Sequence, residues 1–208
     1  MTMSGISEFW RWFESVCGDF GKRFENVSLL EELDQRVAAL GPFTWEVGPA
    51  PNSSDSLLVI SPGGRTELLS ETRKIIGLAP ACSGWRFFSA KPSKEWERRF
   101  FMNDSEGKRV AVDASQWRYV LYGYPDGVFD IVIDAPDLAP LAEQDRITAA
   151  EIVLDGELGE EARLSLIGEI EVVVAPADAS LKTTPIAHVR DHLRKLANTF
   201  GSKTSPGE

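Results

Sequence analysis

Between Val153 and Val174 the chain reads VLDGELGEEARLSLIGEIEVVV, with Asp155, Glu157, Glu160, Glu161, Glu169 and Glu171 in one short stretch and Arg163 as the only opposing charge. Carboxylates at this density suit two kinds of chemistry. Glycoside hydrolysis needs two of them facing across a substrate, and a divalent cation needs several oxygens converging on one point. Convergence depends on the elements beneath. Glu169 and Glu171 lie two apart on a predicted strand and share a face, with Ile170, Val172 and Val174 dividing core from water. Asp155-Gly156 stands where a helix is expected to end, Gly156 suiting the left-handed position after the last turn. Gly159 and Gly168 punctuate the rest. The stretch reads as a helix exit, an irregular acidic connection and an amphipathic strand, its carboxylates fanning into solvent. On that reading no residue is assigned a catalytic role, and Asp155, Glu157, Glu160 and Glu161 face a partner.

Other residue types offer less. His188 and His192 are the only histidines, four apart on a predicted helix. That spacing can place two imidazoles on one metal. The intervening HVRDH lacks the zinc-protease glutamate, and Arg190, Arg194 and Lys195 would repel a cation, so both read as exposed and are only weak metal candidates. Ser61-Pro62-Gly63-Gly64-Arg65-Thr66 joins a strand to a helix. Gly63, Gly64, Arg65 and Thr66 could hold an anion through backbone amides and the helix dipole, although the P-loop lysine and the GxGxxG pattern are missing. Trp85 to Phe101, WRFFSAKPSKEWERRFF, interleaves aromatics with Arg86, Lys91, Lys94, Arg98 and Arg99, a composition that could stack single-stranded RNA bases. No cofactor pattern is present.

The charge layout narrows the partners. From Asp126 to Asp178 there are fourteen acidic residues against Arg146 and Arg163, more negative than the whole chain at −10. Phosphates would be repelled there, which makes nucleic acid an unexpected partner for that third of the chain. Cys17 and Cys82 have no metal or redox spacing and read as reduced thiols. The N-terminus lacks the pattern of a secretory signal, and no apolar run is long enough to span a membrane; a soluble cytoplasmic protein is expected.

The elements that must position these residues follow from periodicity. Phe9, Phe13, Val16, Phe20 and Phe24 form one stripe of a helix over 7–24, weakened at Gly18 and Gly21. Ser28 with Glu31 has capping-box spacing for a second helix ending at Gly41-Pro42. Strands are expected at 43–49, 56–61 and 85–91, with a helix over 65–78 between the last two. The run Leu57–Ile60 is apolar throughout, as in a strand buried on both faces. The order returns with strands at 117–124 and 128–134, joined at Pro125-Asp126-Gly127, then a helix over 144–154 and a strand at 169–174. A short strand, 109–113, precedes them, and a last helix starts at Pro185 with Thr184 as cap and a frayed tail from Gly201. The prediction is an α+β fold: two pseudo-repeated strand-strand-helix-strand units forming one mixed, mostly antiparallel sheet, with N- and C-terminal helices packed on it, all as a single co-folding domain over 1–200.

The blocks ISPGG (60–64), APACSGW (79–85), LDGELGE (154–160) and IGEIE (167–171) resemble those of an uncharacterised family of bacterial proteins. The resemblance implies a bacterial cytosolic origin and one co-folding chain, and it brings no activity, cofactor or catalytic residue. The residues together favour a non-catalytic module that offers an acidic C-terminal surface to a protein partner, itself basic. The alternatives are a small-ligand or anion-binding protein, a hydrolase among them, acting at Ser61–Thr66, and RNA binding through 85–101.

Overall fold

A computed structural model describes residues 2–20, 24–174 and 182–201, with no account of the side chains of 197–201. The tail from 202, Gly21, Asp178 and the side chain of Phe200 lie outside the described residues. The chain divides into two compact units, Met1–Lys91 and Pro92–Glu208.

In the first unit, α1 (Met3–Val16) starts earlier than its aromatic stripe, because Thr2 caps it by accepting the Gly5 amide at 3.2 Å. A 3-10 turn, Cys17–Phe20, carries the stripe on. Helix α2 (Val27–Leu40) is capped by Asn26, whose side chain accepts the Leu29 amide, and not by Ser28 as its spacing suggested. Strands β1 (Thr44–Pro49), β2 (Ser56–Ser61) and β3 (Trp85–Phe88) form a sheet in that order. β1 runs antiparallel to β2, and β2 runs parallel to β3 after a connection through a 3-10 turn (Thr66–Leu68) and α3 (Leu69–Gly77). Leu57 to Ser61 is buried throughout. Leu58 and Ile60 join the helices' core, and Leu57 and Val59 pack with Ala50 and Phe88 on the other face. A strand buried on both sides has no polar alternation to show, which is why its apolar run is continuous.

The second unit repeats that order. After a hairpin of β4 (Arg99–Asn103) and β5 (Arg109–Asp113), strands β6 (Arg118–Gly123) and β7 (Phe129–Asp134) pair antiparallel. The chain then passes through α4 (Glu143–Leu158) and α5 (Glu160–Leu166) to β8 (Ile167–Val173), parallel to β7. β9 (Thr184–Pro185) adds to β6, so Thr184 is a strand residue and not a cap; a 3-10 turn and α6 (Val189–Gly201) follow. The sheet order is β8-β7-β6-β9. Both strand-strand-helix-strand units are therefore present, with the same pairing directions. They do not merge into one sheet: the described strands form three separate sheets of three, two and four strands. The fold class is α+β, its pairings mostly antiparallel.

Helix α4 explains why the acidic stretch was hard to read. None of its residues from Asp145 to Leu158 is exposed, and it contacts β8, α5 and α6. A helix covered on all sides has no single apolar stripe to give it away. It also continues two residues past Gly156. The left-handed glycine that ends it is Gly159, at φ 85°. Gly156 serves a different need: a Cβ there would stand 2.5 Å from Cζ2 of Trp96, whose ring lies against the helix. That ring cannot easily retreat, because its Nε1 donates to Glu157 at 2.9 Å. Gly156→Ala is expected to destabilise the unit by about 1–2 kcal/mol, overpacking outweighing the better helix propensity of alanine. Gly77→Ala, which meets open space at the end of α3, serves as the control, and urea unfolding of both variants measures the contrast.

Candidate functional site

The acidic stretch splits into an inward and an outward part. Asp155, on α4, is half-buried and accepts from Arg163 of α5, which also lies 3.5 Å from Glu151. Glu157 is 4 % exposed and Glu160 fully buried. Glu157 accepts from Trp96 through Oε1 and from Arg98 Nη2 through Oε2 at 3.1 Å. Arg98 Nε also lies 2.9 Å from Oε1, but its N–H is not aligned on that oxygen, so the guanidinium fork is only half engaged. Arg190 of α6 donates to the Glu157 carbonyl. The carboxylates of Glu157 and Glu160 cannot meet a partner, which corrects their assignment as surface residues; of the four, only Glu161 is exposed. Burial of the Glu157 carboxylate is tolerated because the fold brings in a countercharge, Arg98, from 59 residues away.

The outward part lies on the four-stranded sheet. Phe129, Ile131 and Ile133 of β7 and Tyr119 of β6 point into the core. Asp130 and Asp134 therefore share the opposite face of β7, and Glu169 and Glu171 on the neighbouring strand are exposed. Asp130 accepts from the Tyr124 hydroxyl at 2.6 Å and the Glu169 amide at 2.8 Å, and these two bonds hold its carboxyl below the usual carboxylate range. Tyr122 and Tyr124, 48 % and 44 % exposed, stand at the β6 end of this surface. Arg118, the cation at the start of β6, donates to Thr183 Oγ1 and to its carbonyl, both at 2.6 Å.

The turn at 61–66 directs much of its polarity onto itself. Gly63 and Gly64 have φ of 61° and 79°, the Gly63 amide donates to Ser61 Oγ, and Arg65 Nε donates to the Pro62 carbonyl. Thr66 starts a three-residue 3-10 turn, and α3 has no side-chain cap. The stack of aligned amides that attracts an anion is interrupted at that point. The histidines separate as well. His188 is exposed in a 3-10 turn, whereas His192 is half-buried with Nδ1 2.9 Å from the Tyr119 hydroxyl. Burial pushes the Tyr119 phenol up to about 12. Among the described residues no group of three or more His, Cys, Asp or Glu could hold a metal.

The stretch from Trp85 to Phe101 crosses from one unit to the other. Trp85 and Phe87 pack on the first core, Trp96 and Phe100 on the second. Phe101 alone among its rings is exposed, and Arg109 covers it at 4.1 Å. Arg86 pairs with Asp55, Lys91 with Glu46, Arg98 with Glu157 and Arg99 with Asp113. Most of the cations that suggested RNA thus have carboxylate partners inside their own unit.

A cleft of about 480 Å³ opens between the β4–β5 turn and the start of α4, lined by Ser105, Lys108, Arg109, Leu141 and Asp145. Asp145 accepts from the Ser105 amide and hydroxyl, both at 2.9 Å, so its carboxylate fastens the turn to the helix. Sequence reasoning passed over this contact and the Tyr119–His192 pair; each depends on a partner too distant along the chain for spacing to reveal. No family model matches the chain, and neither the curated proteins nor the solved structures contain a match. Among the described residues no helix is long and apolar enough to cross a membrane.

Proposed function

We propose that this is a cytoplasmic protein-interaction module whose docking surface is the outer face of β7 and β8, and that its partner is basic. The observation carrying this reading is the single-sign composition of that face: Asp130, Asp134, Glu169 and Glu171 with no lysine or arginine on either strand. Asp130 is held ionised by Tyr124 and the Glu169 amide. Exposed Tyr122 and Tyr124 add the aromatic area that interfaces favour. A one-signed surface steers an oppositely charged protein and makes the association salt-sensitive. The acidic surface expected from the sequence thus moves from Asp155–Glu161 to these two strands.

A calorimetric titration tests the assignment with a lysine-rich peptide containing a few apolar residues, at low and high salt. The wild-type chain is expected to bind at low salt, and Glu169→Lys/Glu171→Lys to bind at least about tenfold more weakly, consistent with close charge pairs worth more than 1.4 kcal/mol together. Both positions are exposed, so the variant keeps the fold, which far-ultraviolet circular dichroism verifies. Equal binding by the two chains, or binding indifferent to salt, would refute the proposal.

A further inference from the structure

Cys17 and Cys82 are 65 positions apart and share no sequence motif, yet the first unit brings them together. Cys17 opens the 3-10 turn after α1, and Cys82 lies in the connection from α3 to β3. Trp85 fastens both: its backbone amide donates to the Cys82 carbonyl at 3.2 Å and its indole Nε1 to the Cys17 carbonyl at 3.1 Å. The ring itself is wedged edge-on against Phe13 and Phe20, so these two bonds have a rigid origin. The Cys17 thiol donates to the Glu14 carbonyl at 3.6 Å, and Cys17 is near enough to Cys82 to push the Cys82 thiol up. Both residues are free and half-exposed, packed on the edge of one core. Small molecules can reach them.

We propose that Cys17 and Cys82 form a reversible dithiol–disulfide site whose co-substrate is a low-molecular-weight disulfide. The Cys17 thiolate attacks one sulfur of that disulfide and displaces the first small thiolate, leaving a mixed disulfide on Cys17. The Cys82 thiolate then attacks Cys17 Sγ and displaces the second. Two protein thiols lose two electrons, one external disulfide becomes two thiols, and the two protons pass to the departing thiolates. Burial first, then the neighbouring Cys17 sulfur and its hydrogen bond, and last Glu14, push the resting Cys82 thiol up to about 11. The bond would tie the end of α1 to the entry of β3, closing a loop that spans α2, β1, β2 and α3. It is independent of the docking face, which belongs to the other unit.

The test equilibrates the full-length reduced chain with oxidised glutathione, quenches with iodoacetamide and maps the peptides by mass spectrometry. The expected product is an intramolecular Cys17–Cys82 peptide pair and loss of both alkylatable thiols, reversed by excess reduced glutathione. Cys82→Ser should instead stop at a glutathione adduct on Cys17. The oxidised wild-type chain is expected to melt about 5 °C or more above the reduced one, because a long loop is closed in the unfolded state. Matching circular dichroism of reduced wild type and Cys82→Ser shows that the variant is folded. Adducts accumulating separately on both cysteines, dimers linked between chains, or both thiols remaining free would each overturn the proposal.

Discussion

Glu157→Ala is expected to destabilise the second unit by about 3–5 kcal/mol, the range for removing one member of a buried ion pair. Three losses coincide at this position. Arg98, largely withdrawn from solvent, keeps its charge without its counterion. The Trp96 indole N–H loses its acceptor, a defect worth about 1–3 kcal/mol when buried. The α4 surface that fits the Trp96 ring is disturbed next to Gly156. Arg98 also has φ of 61°, a left-handed conformation that costs a residue with a side chain about 1–2 kcal/mol. Its ion pair helps to hold the backbone there, so the segment before β4 should loosen together with α4. Hydrogen exchange resolved by peptide is the appropriate measurement, because two compact units need not unfold in one step. Protection is expected to fall in peptides covering 92–103 and 145–166 and to hold in those covering 1–91. Arg98→Met/Glu157→Leu, which removes both charges and keeps the volume, should recover the part due to the stranded Arg98 charge but not the part due to the lost Trp96 acceptor. A change below about 1 kcal/mol in the single variant would mean that Glu157 is solvated and its pairing with Arg98 inconsequential.

The same residues mark where sequence reasoning succeeds and fails in this chain. Elements with one wet face announced themselves: α1 by its phenylalanine stripe, β7 by the alternation of Phe129, Ile131 and Ile133 with aspartates. β2, buried on both faces, was readable for the opposite reason, as an unbroken apolar run. Helix α4 had neither signature, and Asp155-Gly156 looked like a helix exit because a glycine that accepts an aromatic ring is indistinguishable in one dimension from one that turns the chain. The charge count was accurate, but the places of the charges were not. A carboxylate followed by two glycines and four more acids reads as solvated unless the arginine that meets it is known, and Arg98 arrives through tertiary structure. β4 escaped notice beside an arginine pair and a run of charge. The two pseudo-repeated units were recoverable from element order, whereas the division into three sheets depends on which strand edges meet, and no local pattern encodes that. The cysteine pair has the same origin: 65 residues separate two thiols that a single tryptophan ties together.

Phe13→Ala should have the largest effect on the first unit, about 3–5 kcal/mol. The side chain is fully buried at the centre of an aromatic cluster, with ring centroids of Trp85 at 5.0 Å, Phe87 at 5.6 Å, Phe20 at 5.7 Å and Trp10 at 5.9 Å. Several of these contacts are edge-on, the geometry in which aromatic pairs add to the burial energy. Collapse into the cavity is restrained on two sides. Trp10 Nε1 is bonded to the Ile75 carbonyl at 2.8 Å, and Trp85 to the carbonyls of Cys17 and Cys82. Rings anchored by their polar atoms cannot slide into the space a neighbour vacates, and a cavity that cannot collapse puts the cost at the upper end of the range. Phe13→Leu, which keeps most of the volume, should cost no more than about 1.5 kcal/mol. Urea unfolding followed by tryptophan emission, with hydrogen exchange to confirm that the loss is confined to 1–91, measures both. Equal costs for alanine and leucine would show that ring packing at Phe13 is not what holds α1 to β3.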